Sequence, residues 1–326
     1  MTKQKLMASL SGLLAMVVIV TLLFSGACAK EEGKPTIVLA DGAWTSAEAV
    51  DNIIKLIIEE DLGYVVDMPL LTIEAAWAGL DRGDVDIYME NWMPNQMAYY
   101  TEYVEQKGTV EDLGTNYPTT NKWYVPSYVC EEHGICSIDD LHGNGSLFVI
   151  EGTDTEKGIL IEGDPSWRCV ELNEMRVAGY ELDDEFEVFP VGSEWGMIAQ
   201  IKKSIAQHEP VLFYMWGPHW MFGVWDVTAI EEPEYSAGLW NEEGGDIACG
   251  WNPDSQARII VNSELEDKAP DVYAFLQNWY ISMEEVSSLI MEIEEIEGVS
   301  AERDPADVAR EWIEENRAAV DEMLGK

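Results

Sequence analysis

Apolar residues along the chain alternate between two patterns, short continuous runs typical of buried strands and a three-to-four spacing typical of helix faces. The run at 36–40 predicts a strand, and apolar residues spaced through 50–58 predict a helix that ThrSerAlaGlu at 45–48 begins as a capping box. A second helix is expected at 73–80, followed by a turn and a strand at 82–92. This alternation indicates an α/β lobe.

The middle and the end of the chain repeat the alternation. Residues 147–150 and 210–216 predict strands, and 196–205 predict a helix between them. The run at 257–262 predicts a strand that returns to the first lobe, and the tail ends in an acidic helix at 305–323. We therefore expect two α/β lobes joined by a two-strand hinge. Lobe I comprises 35–124 and 258–326, and lobe II comprises 125–257.

The first 28 residues have the layout of an export signal, with lysines, an apolar run from Met7 to Phe24 and then small residues. SerGlyAla before Cys28 resembles a bacterial lipobox, which predicts lipidation of Cys28, while the flanking alanines also fit ordinary cleavage. A retained membrane anchor is a third alternative, because the apolar run is close to the length of a span. Residues 29–34 form a short tether. The protein is expected on the outer face of the cytoplasmic membrane as a lipoprotein, or in the periplasm.

The chain carries 62 acidic and 19 basic residues, a formal charge of −43. Removal of the signal takes away Lys3 and Lys5 and no acidic residue, which makes the charge −45. Such a surface repels nucleic acid and anionic membranes, and no nucleic-acid partner is expected. Because salt screens like charges, we interpret the acidity as adaptation to high salt.

Cys130, Cys136, Cys169 and Cys249 accompany the lipobox cysteine. In an exported protein an even number favours disulfides, here with three possible pairings. Short separation favours Cys130 with Cys136, which leaves Cys169 with Cys249. His133 completes a CxxHxxC string suited to a metal, but no second ligand pair follows at a familiar spacing, and no metal is expected.

Three tryptophans lie beside prolines at well-separated places, Trp92 in NWMP, Trp167 in DPSWRC and Trp216 in FYMWGPHW. A core tryptophan usually lies inside a periodic apolar run, whereas these lie where a strand or loop ends; packing of Trp216 in a lobe core is the alternative. Converging indole faces attract a cation that donates no hydrogen bonds, each contributing roughly 0.5 to 2 kcal/mol. A quaternary ammonium is the expected ligand group. Trp44, in the loop before the first helix, is a candidate for a fourth wall or for packing.

A helix start next to the second tryptophan supplies complementary chemistry. AspProSer at 164–166 predicts this start, with Asp164 as N-cap. The backbone N–H groups of Arg168 and Cys169 would then be free at the positive end of the helix and would bind a carboxylate. The Arg168 side chain is a ligand candidate or a surface charge paired with an acid. Cage and helix start together match a zwitterion shaped like glycine betaine.

Three segments in order, GDVDIYMENWMP, DPSWRCVELNEMRVAGYEL and PVLFYMWGPHW, resemble the signature regions of glycine betaine/proline betaine-binding proteins of ABC importers, a quaternary-amine-binding family. The resemblance extends over most of the chain. It implies an α/β, two-lobed periplasmic-binding-protein (type II) fold. It also implies that Trp92, Trp167 and Trp216 form the cage and that the amides of Arg168 and Cys169 bind the carboxylate.

The chain departs from the family pattern at two positions. Some members have a carboxylate-binding histidine where Gln96 stands, four residues after the first cage tryptophan; Gln96 can donate an amide hydrogen. A cysteine that pairs locally in some relatives is replaced by Gly163. By that comparison Cys169 pairs elsewhere or stays free.

We therefore expect capture of glycine betaine or proline betaine for osmoprotectant uptake, with delivery to an ABC permease by a monomer, without cofactor or catalysis. A choline-binding protein, or one for another quaternary amine, is the alternative and would need an acidic or neutral partner such as Glu90 or Asp41. A secreted hydrolase is the alternative from another class, but the chain has no GxSxG, HExxH or phosphate-loop motif and only 4 histidines.

Overall fold

A computed structural model describes residues 33–242, 244–294, 296 and 299–326. The predicted export signal, the lipidation site Cys28 and most of the predicted tether lie outside the described residues. In the described part of the chain, no helix combines the length and apolar character needed to cross a membrane.

The strands of the described residues form two main sheets and a small hairpin. They are β1 Thr36–Val38, β2 Val65–Asp67, β3 Ile87–Met93, β4 Val110–Pro118, β5 Thr120–Pro126, β6 Gly158–Glu162, β7 Phe186–Pro190, β8 Leu212–Gly217, β9 Val227–Ala229, β10 Trp240–Asn241, β11 Asp246–Ile247 and β12 Gln256–Asn262.

Helices cover these sheets. The α-helices within the described ranges are α1 Thr45–Leu56, α2 Ile73–Arg82, α3 Met97–Tyr100, α4 Ser127–His133, α5 Ile138–Leu141, α6 Arg168–Gly179, α7 Glu194–Gln207, α8 Leu265–Lys268, α9 Pro270–Gln277, α10 Met283–Ile293, α11 Pro305–Glu315 and α12 Arg317–Met323. Helices α1 and α3 continue as π-helical turns at Ile57–Asp61 and Thr101–Lys107, and 3-10 turns occupy Gly145–Phe148 and Trp220–Gly223.

The first lobe is built on the sheet that contains the first and the last of the described strands. β1 and β2 are parallel, a bridge between Leu39 and Ile87 joins β1 to β3, and β12 lies antiparallel between β3 and β4. The strand order is therefore β2-β1-β3-β12-β4. Helices α1, α10 and α11 pack against one another beside this sheet. This packing leaves apolar residues such as Val50 and Ile53 with no exposed surface.

The second lobe is built on a five-stranded sheet in the order β7-β6-β8-β5-β9. β6 is parallel to β7 and β8, whereas β5 is antiparallel to β8 and β9. β5 begins at Thr120, so the structure places 120–124 in lobe II rather than in lobe I as predicted. The chain first crosses between the lobes at Thr119 and returns before Gln256. The α/β fold with two lobes and two crossing segments is the architecture expected from the sequence.

Three local predictions are wrong. The capping box at 45–48 does not form, because Trp44 is the N-cap residue and the Thr45 hydroxyl bonds to acids distant in sequence. Residues 147–150 are not a strand: Phe148 ends a 3-10 turn and packs on Phe186 with ring centroids 5.7 Å apart. A four-residue apolar run does not distinguish a strand from a buried turn. The helix predicted at 305–323 is interrupted at Asn316, whose backbone leaves the helical region.

Candidate functional site

Four tryptophan side chains surround a small pocket between the lobes, with a cavity volume of about 50 Å³. The rings of Trp92 and Trp167 both stand nearly perpendicular to Trp216, at 82° and 86°, with centroids 6.5 and 5.2 Å away. Trp44 meets Trp167 edge to face at 6.2 Å. Ten residues line the pocket: Trp44, Ile73, Trp92, Asn95, Gln96, Trp167, Arg168, Cys169, Tyr214 and Trp216. The fold therefore brings the three predicted cage tryptophans together, and Trp44 lies with them as the fourth.

Each lobe contributes one tryptophan from a strand end and one from a helix start. Trp92 lies near the end of β3 and Trp216 near the end of β8, and the peptide bonds before Pro94 and Pro218 that follow are both cis. Trp44 and Trp167 are the N-cap residues of α1 and α6. Strand ends and helix starts meet at the same edge of an α/β sheet, which is where such proteins bind ligands.

A buried carboxylate holds both indoles of the first lobe. Oε2 of Glu90 accepts hydrogen bonds from Nε1 of Trp44 at 2.5 Å and from Nε1 of Trp92 at 3.1 Å. The same oxygen accepts from the Ser46 hydroxyl at 3.0 Å, and Oε1 accepts from the Tyr117 hydroxyl. Burial raises the pKa of Glu90, and these hydrogen bonds act in the opposite direction. Glu90 therefore sets the orientation of two walls rather than facing the pocket, where the choline alternative would need it.

The helix that was expected to bind a carboxylate begins three residues later than predicted. Trp167, not Asp164, is the N-cap residue of α6, and Asp164 instead accepts a hydrogen bond from the Ser166 N–H at 2.8 Å. The backbone N–H groups of Arg168 and Cys169 have no acceptor among the described residues, and both residues line the pocket. The positive end of a helix of 12 residues is thus directed at the cage.

Two side chains that were predicted to bind the ligand already form hydrogen bonds with other side chains of the protein. The Arg168 guanidinium bonds to Glu171 and, at 2.6 Å, to Glu242, so its charge is paired. Gln96 accepts from Trp77 Nε1 at 2.8 Å and donates to the Tyr88 hydroxyl at 3.2 Å. Because Trp77 can only donate, the amide oxygen of Gln96 must face it. One amide hydrogen of Gln96 is left for a ligand.

The Cys169 thiol lies beneath the pocket against a second buried carboxylate. Its Sγ lies 3.7 Å from Oε2 of Glu162, which also accepts from the Gly163 N–H at 3.2 Å, while Oε1 of Glu162 accepts from Asn173 Nδ2 at 2.5 Å. Burial raises the pKa of Glu162 to about 7 and raises that of the Cys169 thiol well above its usual range.

The predicted pairing of Cys169 with Cys249 is wrong, because both are buried free thiols. Cys249 lies instead near the Ser236 carbonyl at 3.5 Å. Cys130 and Cys136 form a disulfide with their Cα atoms 4.9 Å apart, which leaves neither thiol for a metal.

Three pocket residues were not singled out from the sequence: Ile73, Asn95 and Tyr214. Tyr214 could have been predicted from the sequence, because it precedes Trp216 by two positions and alternate residues of a strand share a face. The same rule places Glu90 beside Trp92 on β3. Asn95 follows the proline corner, and its side-chain oxygen has no hydrogen-bond partner among the described residues.

Two α/β lobes that enclose an aromatic cage and a helix start define a solute-binding protein of the periplasmic-binding class. Residues 35–315 match the OpuAC family, the substrate-binding domain of the ABC-type glycine betaine transport system, and the chain belongs to this family. This is the family that the three sequence segments indicated.

Similar proteins cover nearly the whole chain. A trimethylamine N-oxide-binding protein of Pelagibacter ubique is 23% identical over 317 residues, which cover 96% of this chain and 98% of the relative. The glycine betaine-binding periplasmic protein OusX of Dickeya dadantii is 20% identical over 334 residues, with 95% and 96% covered.

A solved glycine/betaine/L-proline-binding protein of Borrelia burgdorferi has a TM-score of 0.72 at 25% identity, with 88% of this chain and 96% of that chain covered. A choline-binding protein of an ABC transporter, solved with choline, has a TM-score of 0.73 at 23% identity over 89% of this chain and 91% of that chain, and this likeness shows the fold.

Proposed function

We propose that the protein captures glycine betaine or proline betaine outside the cytoplasmic membrane and delivers it to the permease of an ABC importer. The observation that carries this proposal is the cage of Trp44, Trp92, Trp167 and Trp216 beside the unpaired N–H groups that begin α6. The cage suits a trimethylated cation and the helix start suits a carboxylate. A betaine carries both groups a short distance apart.

The energies are sufficient when the contributions act together. Each indole face contributes roughly 0.5 to 2 kcal/mol to cation binding. A micromolar dissociation constant needs about −8 kcal/mol, so burial of the methyl groups and hydrogen bonds to the carboxylate must supply the remainder. A primary ammonium would lose hydrogen bonds to water that indoles cannot replace, and it is therefore selected against.

Choline is the second candidate ligand. It lacks a carboxylate and carries a hydroxyl that needs an acceptor, and the unpartnered side-chain oxygen of Asn95 in the pocket is such an acceptor. Trimethylamine N-oxide, which the relative from Pelagibacter ubique binds by its name, shares the methylated cation and has one acceptor oxygen. The three ligands differ in the group that they present to the helix start, which is a carboxylate in a betaine, a hydroxyl in choline and a single oxygen in trimethylamine N-oxide.

The remaining assignments follow from a binding function. The pocket thiol, Cys169, lies against the carboxyl of Glu162 rather than a histidine, which supports binding without catalysis. Export by the N-terminal signal, lipidation at Cys28, action as a monomer and partnership with a permease belong to the same proposal. The acidic surface, adapted to high salt, fits an osmoprotectant carrier.

Calorimetric titration of the purified protein in high salt with glycine betaine, choline and trimethylamine N-oxide tests the proposal. The decisive comparison is 3,3-dimethylbutyrate, which has the shape and carboxylate of glycine betaine but no positive charge. We expect at least about tenfold weaker binding of this analogue, since cation–π attraction is lost. Equal affinities would show that the cage does not recognise a cation.

The Trp216→Ala variant tests the cage itself. We expect the affinity for glycine betaine to fall by about tenfold to a hundredfold, with an unchanged circular dichroism spectrum. Trp195→Ala is the matched control, because this side chain is 58% exposed and does not line the pocket. If Trp216→Ala unfolds the protein, the tryptophan is a core residue, as in the packing alternative.

A further inference from the structure

Four buried polar side chains meet where the lobes touch, directly behind the cage. The carboxylate of Glu194 accepts from the Thr45 N–H at 3.1 Å and from the Thr45 hydroxyl at 2.9 Å. His219 Nε2 lies 3.1 Å from the same carboxylate, and Glu294 Oε1 lies 2.8 Å from the Thr45 hydroxyl. Each of the four residues is at most 4% exposed. Thr45 directly follows the cage residue Trp44.

The cluster joins the two lobes. Thr45 begins α1 of lobe I, and Glu294 follows α10, which packs against α1. Glu194 begins α7 of lobe II, and His219 follows β8 of the same lobe. A carboxylate of lobe II therefore binds the N-terminus of a lobe I helix, as a ligand carboxylate would bind the N-terminus of α6.

Counting hydrogens favours one extra proton in the cluster. Nδ1 of His219 accepts from the Met221 N–H at 3.1 Å, so Nε2 carries the hydrogen and donates it to Glu194. Glu194 then accepts from three donors, the Thr45 N–H, the Thr45 hydroxyl and His219 Nε2. The Thr45 hydroxyl has one hydrogen and lies within hydrogen-bond distance of two carboxyl groups, so two ionised carboxylates would have to share it, whereas a protonated carboxyl that donates to Thr45 gives each contact its own hydrogen.

Glu294 is the carboxyl that carries the extra proton. Its second oxygen, Oε2, has no partner among the described residues, whereas Glu194 is fully bonded. The charged groups that face it are all acidic: Glu194 on α7, Glu48 on α1, and Glu302 in the segment before α11. Burial and these acids raise the pKa of Glu294 to about 7.

We propose that Thr45, Glu194, His219 and Glu294 form a latch that holds the lobes closed over the ligand, and that closure takes up one proton on Glu294. This inference rests on the proposed function for the ligand that the closed lobes enclose, while the latch itself favours closure with or without that ligand. Glu194 and Glu294 are positioning residues: they contact no ligand but hold the start of α1, and with it the Trp44 wall, against lobe II.

The pH dependence of binding tests the latch. Glycine betaine keeps its charges between pH 6 and 9, since a quaternary ammonium has no proton to lose and carboxylic acids titrate near about pH 4. On this proposal closure buries Glu294 against Glu194 and raises its pKa from the ordinary 4.5 to about 7, so affinity is greatest at low pH, falls by at most about tenfold per pH unit as the pH rises to about 7, and levels off above it.

The Glu294→Gln variant separates this effect from other titrating groups. Its amide donates to the Thr45 hydroxyl at every pH, so we expect wild-type affinity at pH 6 and, up to pH 9, none of the decline that Glu294 causes. The pocket carboxyl Glu162 titrates in the same window, but it is present in both proteins. A decline in Glu294→Gln as steep as that of the wild type would overturn the proton assignment.

The Glu194→Ala variant removes the acceptor of the latch. We expect about tenfold or greater loss of affinity at every pH, mainly through faster release. Glu174→Ala is the matched control, an exposed acid on α6 of the same lobe. If Glu194→Ala and Glu174→Ala bind equally well, Glu194 does not hold the lobes.

A ligand-free measurement distinguishes failure of the latch from failure of the proposed function. Small-angle X-ray scattering should give a larger radius of gyration for Glu194→Ala than for the wild type at pH 6. If no quaternary amine binds the wild type but this difference is present, the latch stands and the ligand assignment is wrong. If the two radii are equal, the latch is wrong whatever the protein binds.

Discussion

The indole ring of Trp167 lies directly on the backbone of Gly163. A Cβ atom added at Gly163 would lie far inside van der Waals contact with the six-membered ring of Trp167. The absence of a side chain at Gly163, where some relatives carry a cysteine, therefore gives this cage wall its place. Trp44 lies over Gly42 in the same way.

Gly163→Ala should displace the Trp167 ring and weaken glycine betaine binding by about tenfold to a hundredfold, because overpacking at a closed site costs roughly 1 to 3 kcal/mol. Calorimetry gives the affinity, and tryptophan fluorescence reports the ring. Gly238→Ala is the control in the same lobe, since an added Cβ there makes only ordinary contact. Wild-type binding by Gly163→Ala would show that the ring position does not matter.

Glu90→Leu should loosen the cage and destabilise the fold, because it leaves the buried indole N–H groups of Trp44 and Trp92 without their acceptor. We expect a loss of roughly 1 to 3 kcal/mol per orphaned group in the free energy of unfolding. Glu90→Gln keeps an oxygen at this place and should retain more stability and affinity. Urea unfolding and calorimetry on both variants check this order, and equal values for the two would refute it.

Glu162 should make stability depend on pH. Its folded pKa of about 7 lies above the ordinary value of 4.5, so its contribution is complete below about pH 4.5 and is lost as the pH rises through about 7. The loss amounts to at most about 3 kcal/mol. Relative to Glu162→Gln, wild-type unfolding free energy should therefore fall across this window. Urea unfolding at stepped pH values measures it; a difference that does not change with pH contradicts the prediction.

Salt should stabilise the protein. With 62 acidic against 19 basic residues, like-charge repulsion opposes the compact state, and the screening length falls from about 10 Å at 0.1 M to about 3 Å at 1 M salt. The thermal unfolding midpoint should rise by several degrees between these concentrations. Sucrose at matched osmolality is the uncharged control. An equal rise in sucrose would attribute the effect to solute exclusion and not to charge.

Much of the site could be predicted because its signals are local. The proline corners after Trp92 and Trp216 mark strand ends, and strand periodicity places Tyr214 and Glu90 beside them. The start of α6 was predicted with an error of three residues, because an aspartate followed by proline also forms the turn seen at Asp164. Arg168 and Cys169, the two residues named from the sequence at this helix start, nevertheless line the pocket.

Contacts between distant segments could not be predicted. Local spacing indicated Cys130 with Cys136, but nothing in the spacing of Cys169 and Cys249 shows that each is buried apart from the other. The predicted end of the first lobe segment at residue 124 falls inside β5, because β4 and β5 are separated by Thr119 alone and no local signal marks the passage from one sheet to the other.

The sequence by itself determined the strand and helix alternation, three of the four tryptophans that cluster at the pocket, and the family, because each of these rests on neighbours within a few positions. Only the tertiary structure decided that one carboxylate, Glu90, holds two tryptophans and that Glu194 binds Thr45, which lies 149 residues away. Burial and hydrogen bonding between lobes depend on how the sheets are placed in space, and no periodicity along the chain encodes that placement.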